Sequence, residues 1–359
     1  MSELTPEQLH HRQQELQVRQ RFVDARAGSE QLTAMSSSPP RRLYHYTSLR
    51  GLMGICSSTE IWASDVRFVN DASELTYASE LIGTEVAAAI NDSKRIAQHV
   101  HLHPDIANPF QVVRPFIACF CEEADLLSQW RGYGARESAY SLGFDLDQIA
   151  NFGASPRNTV VQKVVYDPEQ QRGAVRLAMQ IWIATAETIL DEGQLEPSDL
   201  FPYPAIGALQ DALIEHHLCF KNPAFAEEKE WRLIKIVDLN EELGLIDDQR
   251  RKARWLETKR QVEEFNPEGA PFEIPSLPAR GAEGLEICFR RSAATLVPYV
   301  RVPLQDAAGV FTGLLPLWEV IQGPCPDPAL SLESLELYLR SVGYGVHTEI
   351  QTSQVPLRT

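Results

Sequence analysis

RLYHYTSLRGLMGICSSTEIWASD, residues 42–65, is expected to open the folded region of the chain. RLYHYT reads as a short apolar strand. Ser48 is then placed to cap a short helix over 48–56, and EIWASD returns to an extended pattern. Strand, helix and strand in so short a span set the rhythm of a mixed α/β, or α+β, fold. The rhythm continues with a helix over 71–90 and strands at FIACFCE, AYSLGFD and VVQKVVYD, each with β-branched or aromatic residues on a period of two. Helical patterns cover 172–191 and 205–220. EKEWRLIKIV, from Glu228, alternates again, LEICFRR, PYVRVPL and LWEVIQG read as strands, and a last helix in SLESLELYLRSVGY leads into VHTEIQTS.

Upstream of this region, residues 5–26 read as a charged, weakly amphipathic helix and SSSPPRR (36–42) as a linker. The expected organisation is therefore a polar N-terminal helix and Ser/Pro linker over 1–41, and one α+β catalytic-like domain over 42–359. That domain is interrupted by a charged insertion at about 238–284, typified by DDQRRKARWLETKRQVEEF. No internal repeat is visible.

Composition narrows the function classes. At 359 residues and 44% hydrophobic the chain can bury a sizeable core. No apolar run reaches the ~18 residues that span a bilayer. The opening segment, MSELTPEQLHHRQQELQVRQ, is too polar for a signal peptide, so a cytoplasmic protein with no membrane partner is expected. The six cysteines contain no CxxC pair, which removes a zinc knuckle and fits a reduced compartment. A formal charge of −16 repels phosphate backbones and argues against generic nucleic-acid binding.

Several motif classes are absent: there is no GxxxxGK[ST], no GxSxG and no HExxH, and GYGAR lacks dinucleotide-fingerprint spacing. HVHLHPD sets His99, His101 and His103 on alternate positions with Asp105 nearby, a metal candidate to be weighed against a polar loop closed by Pro104. In FVNDASEL, Asp71 and Glu74 suit a helix cap and first turn. SQWRGYGARESAYSLGFD offers the flat faces of Trp130 and Tyr133 and the guanidinium fork of Arg131; an ordinary loop with a packed tryptophan accounts for it equally well. In FAEEKEWRL, period two places Glu228, Glu230 and Arg232 on one strand face, with Trp231 and Leu233 on the other. Such a carboxylate pair is either a solvated surface or a pocket in which one acid steadies a developing cation and the other orients the attacking group.

Taken in order, LYHYTSLRGLMGI, IWASDVRFVNDASE, LSQWRGYG, YSLGFD, KNPAFAEEKEWRLI and TSQVPLR resemble the bacterial domain-of-unknown-function family 2971, from about residue 42 to the C-terminus. A second resemblance, to the ADP-ribosyltransferases, rests on an HxT on the first strand, aromatic residues in the middle and a glutamate on a late strand. It implies an ADP-ribosyltransferase-like split antiparallel or mixed β-sheet core flanked by helices, with NAD as co-substrate. Carried over residue by residue, His45 and Thr47, with Tyr46 between them, match the HxT element, the histidine holding the ribose and the neighbouring backbone and hydroxyl seating the nicotinamide end, and Glu230, or Glu228 in an ExE arrangement, is the acid. Tyr133 is the preferred stacking ring, with Trp130 and Tyr140 as alternatives, and Arg131 or Arg232 meets the diphosphate. The alternative for His45 is a ring that satisfies a buried backbone group, with Thr47 starting the next helix.

The implied function is NAD-dependent ADP-ribosyl transfer to a macromolecular acceptor, protein or nucleic acid, of the kind used by intracellular toxins and defence effectors. NAD hydrolysis is the close alternative. From a different class, the chain is a non-catalytic nucleotide or nucleic-acid sensing module, with the N-terminal helix as a docking element for a partner protein.

Overall fold

The structure is a computed structural model that describes residues 18–29, 38–69, 73–99, 113–133, 138–150, 159–192, 202–238, 287–291, 295–306, 309–345 and 347–356. The elements in chain order are α1 (18–27), β1 (Arg42–Ser48), α2 (Leu49–Ser58), β2 (Ile61–Asp65), α3 (Ser73–Asp92), α4 (Lys94–His99) and β3 (Val113–Cys121). There follow α5 (Leu127–Tyr133), β4 (Ala139–Asp145), β5 (Ile149–Ala150), β6 (Thr159–Lys163), α6 (Pro168–Asp191), α7 (Pro202–Cys219) and β7 (Glu230–Asp238). The chain closes with β8 (Ile287–Arg291), β9 (Leu296–Val302), β10 (Gln305–Asp306), β11 (Leu317–Gln322), α8 (Pro328–Ser341) and β12 (Glu349–Thr352). The expected strand–helix–strand opening is present, and Ser48 caps α2 by accepting from the Gly51 amide.

The strands form one mixed open sheet that forks at β3, while β5 and β10 pair separately. β7 runs antiparallel along the whole of β3, from Val113↔Asp238 to Cys121↔Glu230, and β6 lies outside β7. The other edge of β3 is shared. β1 meets it only at Tyr44↔Cys121, and β2 only at Ser64↔Ile117 and Asp65↔Phe116. One arm of the fork continues from β1 to β4, β11 and β12, where the β11–β12 pairing is parallel; the other continues from β2 to β9 and β8. Between Ile117 and Cys121 of β3 the two arms diverge.

Pleating fixes which side chains share a face. Leu43, Phe120, Leu142, Phe144, Trp231 and Leu233 face a core closed by α2 and α8. Ile117 and Ile234 face the opposite way, onto Ile214 and Leu218 of α7. Behind α7, apolar stripes of α3 and α6 complete a helical layer. α1 belongs to this layer: Val18 and Phe22 are buried in it, the Phe22 ring stacks on Trp182 with centroids 5.9 Å apart, and Arg19, Arg21 and Arg26 pair with Asp211, Glu192 and Glu215. The rest of the expected first helix (5–17), most of the linker and nearly all of the charged insertion lie outside the described residues.

Two sequence readings change. SQWRGY is not a loop: Leu127–Tyr133 is a helix, with Trp130 buried against the sheet. The strand expected from Glu228 begins at Glu230, because Asn222 accepts from the Ala224 amide and Pro223 opens a 3₁₀ turn that runs to Glu228. Lys229 ends that turn in the left-handed region, with φ 43° and ψ 50°.

Candidate functional site

The start of β7 carries a knot of buried charge. Glu230 and Arg232 are two residues apart on the strand, so they share the face turned toward α7 and α3, opposite Cys121 and Cys119 of β3. Lys221 follows α7, and its backbone is pinned from two sides: its amide donates to the Val165 carbonyl, and its own carbonyl accepts from the Gln171 side chain at 3.0 Å. Glu74 comes from the first turn of α3 and Glu228 from the end of the 3₁₀ turn. Glu230, Arg232, Lys221 and Glu74 are all buried, whereas the Glu228 side chain stays 25% exposed.

The hydrogen bonds are dense. Lys221 Nζ donates to Glu74 Oε1 at 2.8 Å, Glu228 Oε2 at 2.7 Å and Glu230 Oε2 at 3.0 Å. Arg232 Nε donates to Glu230 Oε1 at 2.8 Å and Nη2 reaches Glu74 Oε2 at 2.6 Å and Glu230 Oε2 at 3.1 Å, while Nη1 donates to the Leu218 carbonyl at 2.6 Å. Charge-assisted bonds of this kind offset the desolvation of the ions that make them. Burial alone would raise the Glu230 carboxyl; Arg232 and then Lys221 outweigh it and hold the group down at about 2. Burial opposes the charge on Lys221, but Glu230 and Glu74 raise its ammonium well above the usual range. Glu228 goes the other way: burial raises its carboxyl and Lys221 only partly offsets this.

Around the knot stand aromatic groups. Lys221 Nζ lies 5.0 Å from the Phe225 ring centroid. Tyr166 Oη accepts the Glu230 amide at 3.0 Å. Tyr133, at the end of α5, is half-buried; burial, then the fields of Cys119 and Glu230, push its hydroxyl far above its usual value. α5 is held in place by Trp130, whose ring sits edge-on to Tyr46 at 4.7 Å and whose indole donates to Asp125. Asp125 also accepts from the Ser353 hydroxyl and from the Gln354 amide at 2.7 Å, so the C-terminal TSQV segment locks against α5. Tyr46 stacks on Tyr133 at 6.4 Å, and its hydroxyl donates to the Glu123 carbonyl and accepts from the Leu126 amide.

His45 occupies the fork. Its Nδ1 lies 2.8 Å from the Cys119 carbonyl, and because a carbonyl only accepts, Nδ1 carries the proton. The ring thus satisfies a backbone oxygen that the diverging β1 no longer reaches. Burial lowers the imidazole below its ordinary value, and the Cys119 bond only partly offsets that. The link to the charged knot runs through Cys119, whose carbonyl meets His45 while its side chain shares a face with Arg232 and Glu230.

Glu228, Glu230 and Arg232 therefore converge, with Tyr133 beside them and Trp130 and Tyr46 bracing Tyr133 from behind. Thr47 and Tyr140 are opposite one another on β1 and β4 and are buried on the other face, with Tyr140 in the α2-side core. Arg131 is exposed, while the guanidinium of Arg232 is taken up by Glu230, Glu74 and Leu218. Sequence reasoning missed Lys221 and missed Glu74 as anything beyond a first-turn acid. It also missed Arg290 of β8, a half-buried guanidinium that donates to Ser64 Oγ at 3.1 Å, lies within electrostatic reach of Tyr133, and has no carboxylate partner among the described residues. The Lys221 signal was present in KNPAFAEEKEWR, where a lysine stands six residues before the acids Glu227, Glu228 and Glu230 begin.

His101, His103, Asp105 and the side chain of His99 lie outside the described residues, among which no group of His, Cys, Asp or Glu is arranged to hold a metal ion. Among the described residues, no helix is long and apolar enough to cross a membrane. No curated protein and no solved structure matches the chain. Residues 129–233, from α5 through the start of β7 and including Tyr133, Lys221, Glu228, Glu230 and Arg232, match the family described as Protein of unknown function (DUF2971).

Proposed function

We propose that this chain breaks the bond between nicotinamide and ribose in NAD and transfers the ADP-ribosyl group to a macromolecular acceptor. The observation that carries this reading is the carboxylate pair Glu228 and Glu230, fixed by Lys221 and Arg232 beside the Tyr133 ring. The residues fit such a substrate in kind. A half-buried tyrosine face suits nicotinamide, a preorganised acid suits positive charge developing on ribose, and Arg290 and Arg131 are cations with no carboxylate partner among the described residues. Bound NAD supplies a ribosyl carbon that becomes electron-poor as nicotinamide departs with the bonding electrons. The knot contributes negative charge that needs no reorganisation, because the bonds among Glu230, Glu74, Lys221 and Arg232 already fix it. The raised carboxyl of Glu228 suits taking the proton that an acceptor hydroxyl or amine must lose. His45, packed on Phe120 with Nδ1 on the Cys119 carbonyl, fixes the β3 backbone behind the knot.

A second reading rests on a different observation: both oxygens of Glu230 already accept bonds from cations. A knot so satisfied also serves a nucleotide-binding module that never turns over. The two readings separate when protein is incubated with NAD labelled on its adenylate half, with and without cell lysate, while free nicotinamide and labelled macromolecule are measured. Release that is lost in His45→Ala and Glu230→Gln, with label appearing on a lysate component, supports transfer. NAD binding without release supports the binding module. Neither binding nor release overturns both.

A further inference from the structure

The acids of the knot are not equivalent. Glu230 and Glu74 each accept at both oxygens, whereas among the described residues Glu228 accepts at Oε2 alone, from Lys221, and leaves Oε1 unbonded. All three Lys221 protons are spent on carboxylates, one to each acid. Three carboxylates against two cations leave one excess negative charge. It is best placed at the acid that is both under-bonded and open to solvent, and that is Glu228.

We propose, building on the NAD reading, that Glu228 is the catalytic carboxylate, presenting Oε1 to the reacting groups, and that Glu230, Glu74 and Lys221 are positioning residues that hold and charge it. The division inverts what a strand alternation starting at Glu228 suggests, in which the two acids are equivalent neighbours on one face. It arises because the Pro223–Glu228 turn carries Glu228 out of the strand while Lys229, left-handed, returns the chain to it. The same turn lies against α5, so Glu228 opens on the side where Tyr133 ends that helix. The charged and titratable groups that face Glu228 are Lys221, Glu230 and Glu74, with Tyr133 and Tyr166 also feeling its charge.

Glu228→Gln keeps an oxygen for Lys221 and neutralises the knot. Glu230→Gln instead turns amide hydrogens toward Arg232 and Lys221. The experiment follows the thermal melting of both variants and the wild-type chain between pH 4 and pH 8, together with NAD affinity and nicotinamide release. Because the Glu228 carboxyl is raised in the folded state, its destabilisation is absent below the ordinary carboxyl range and appears as pH rises through its folded value. Glu228→Gln is therefore expected to melt higher than wild type at pH 7 by a few degrees, with the gap closing toward pH 4. It is expected to keep NAD affinity within about threefold and to lose release by about 100-fold or more. Glu230→Gln is expected to melt lower at pH 7. A Glu228→Gln protein that releases nicotinamide at the wild-type rate, or that melts lower at pH 7 than wild type, overturns the assignment. A wild-type chain that releases none refutes the NAD reading instead, and the melting comparison still tests whether Glu228 is the uncompensated acid.

Discussion

Arg232 donates to two acids and one carbonyl, and it does so at 2% exposure. Removing one member of a buried ion pair leaves the others charged and unsatisfied. Arg232→Met is accordingly expected to lower stability by ~3–5 kcal/mol, and Arg232→Lys to recover only part of it because an ammonium cannot make the planar two-bond contact with Glu230; urea unfolding of the three proteins measures both. A packing position gives a second expectation. Gly143 of β4 lies between Tyr44 and Glu319, and a Cβ there would sit 2.9 Å from the Tyr44 ring and 3.0 Å from Glu319 Cβ. Gly143→Ala is expected to cost ~1–3 kcal/mol by the same assay. At this scale the sequence carried much of the site: the spacing of Glu228, Glu230 and Arg232 announced a shared location. It did not carry Lys221 or Glu74, since a lysine 7 residues from Glu228 and an acid 158 residues from Arg232 have no periodic relation to the strand they serve.

Elements were legible where one period dominates. β4 and β7 carry a period-two residue pattern although β4 is buried on both faces, whereas α6, expected from residue 172, starts four residues earlier, where Asp167 accepts the Gln170 amide and Pro168 opens the helix. α5 escaped because seven residues with two glycines nearby carry too little helical pattern. What makes it a helix is tertiary, with Trp130 buried on Tyr46 and anchored through Asp125 to the C-terminal segment. α1 shows which of two forces docks an amphipathic helix. Its arginine pairs are solvent-exposed or nearly so, whereas Phe22 is buried on Trp182. Phe22→Ala is expected to cost ~3–5 kcal/mol and Arg26→Ala at most ~1 kcal/mol, compared by thermal melting at low and at high salt, where only the arginine effect shrinks.

The whole molecule is a forked sheet whose two arms separate at β3, with the charged knot on the side of the helical layer and His45 in the fork. Local residue pattern revealed the strands, but the fork depends on β1 and β2 both reaching one edge of β3, a long-range choice that no such pattern encodes. Stability should fall on acidification in two stages. His216 and His217, lowered by burial to about 4, stay neutral in the folded chain, so the unfolded chain takes up their protons first and stability declines as pH drops from about 6.5 toward 4. Glu230, held at about 2, contributes stability that is present above the ordinary carboxyl range and is lost as pH falls toward 2. Urea midpoints between pH 8 and pH 3 are expected to decrease throughout, and a midpoint unchanged from pH 7 to pH 5 would contradict the buried neutral histidines. Whether the acid knot beside Tyr133 cleaves NAD is decided by nicotinamide release from the purified wild-type chain beside Glu228→Gln at pH 7. Release by the wild type is expected, with its loss by about 100-fold or more in a variant that melts no lower; release from neither protein, or equal release from both, rules out the proposed cleavage.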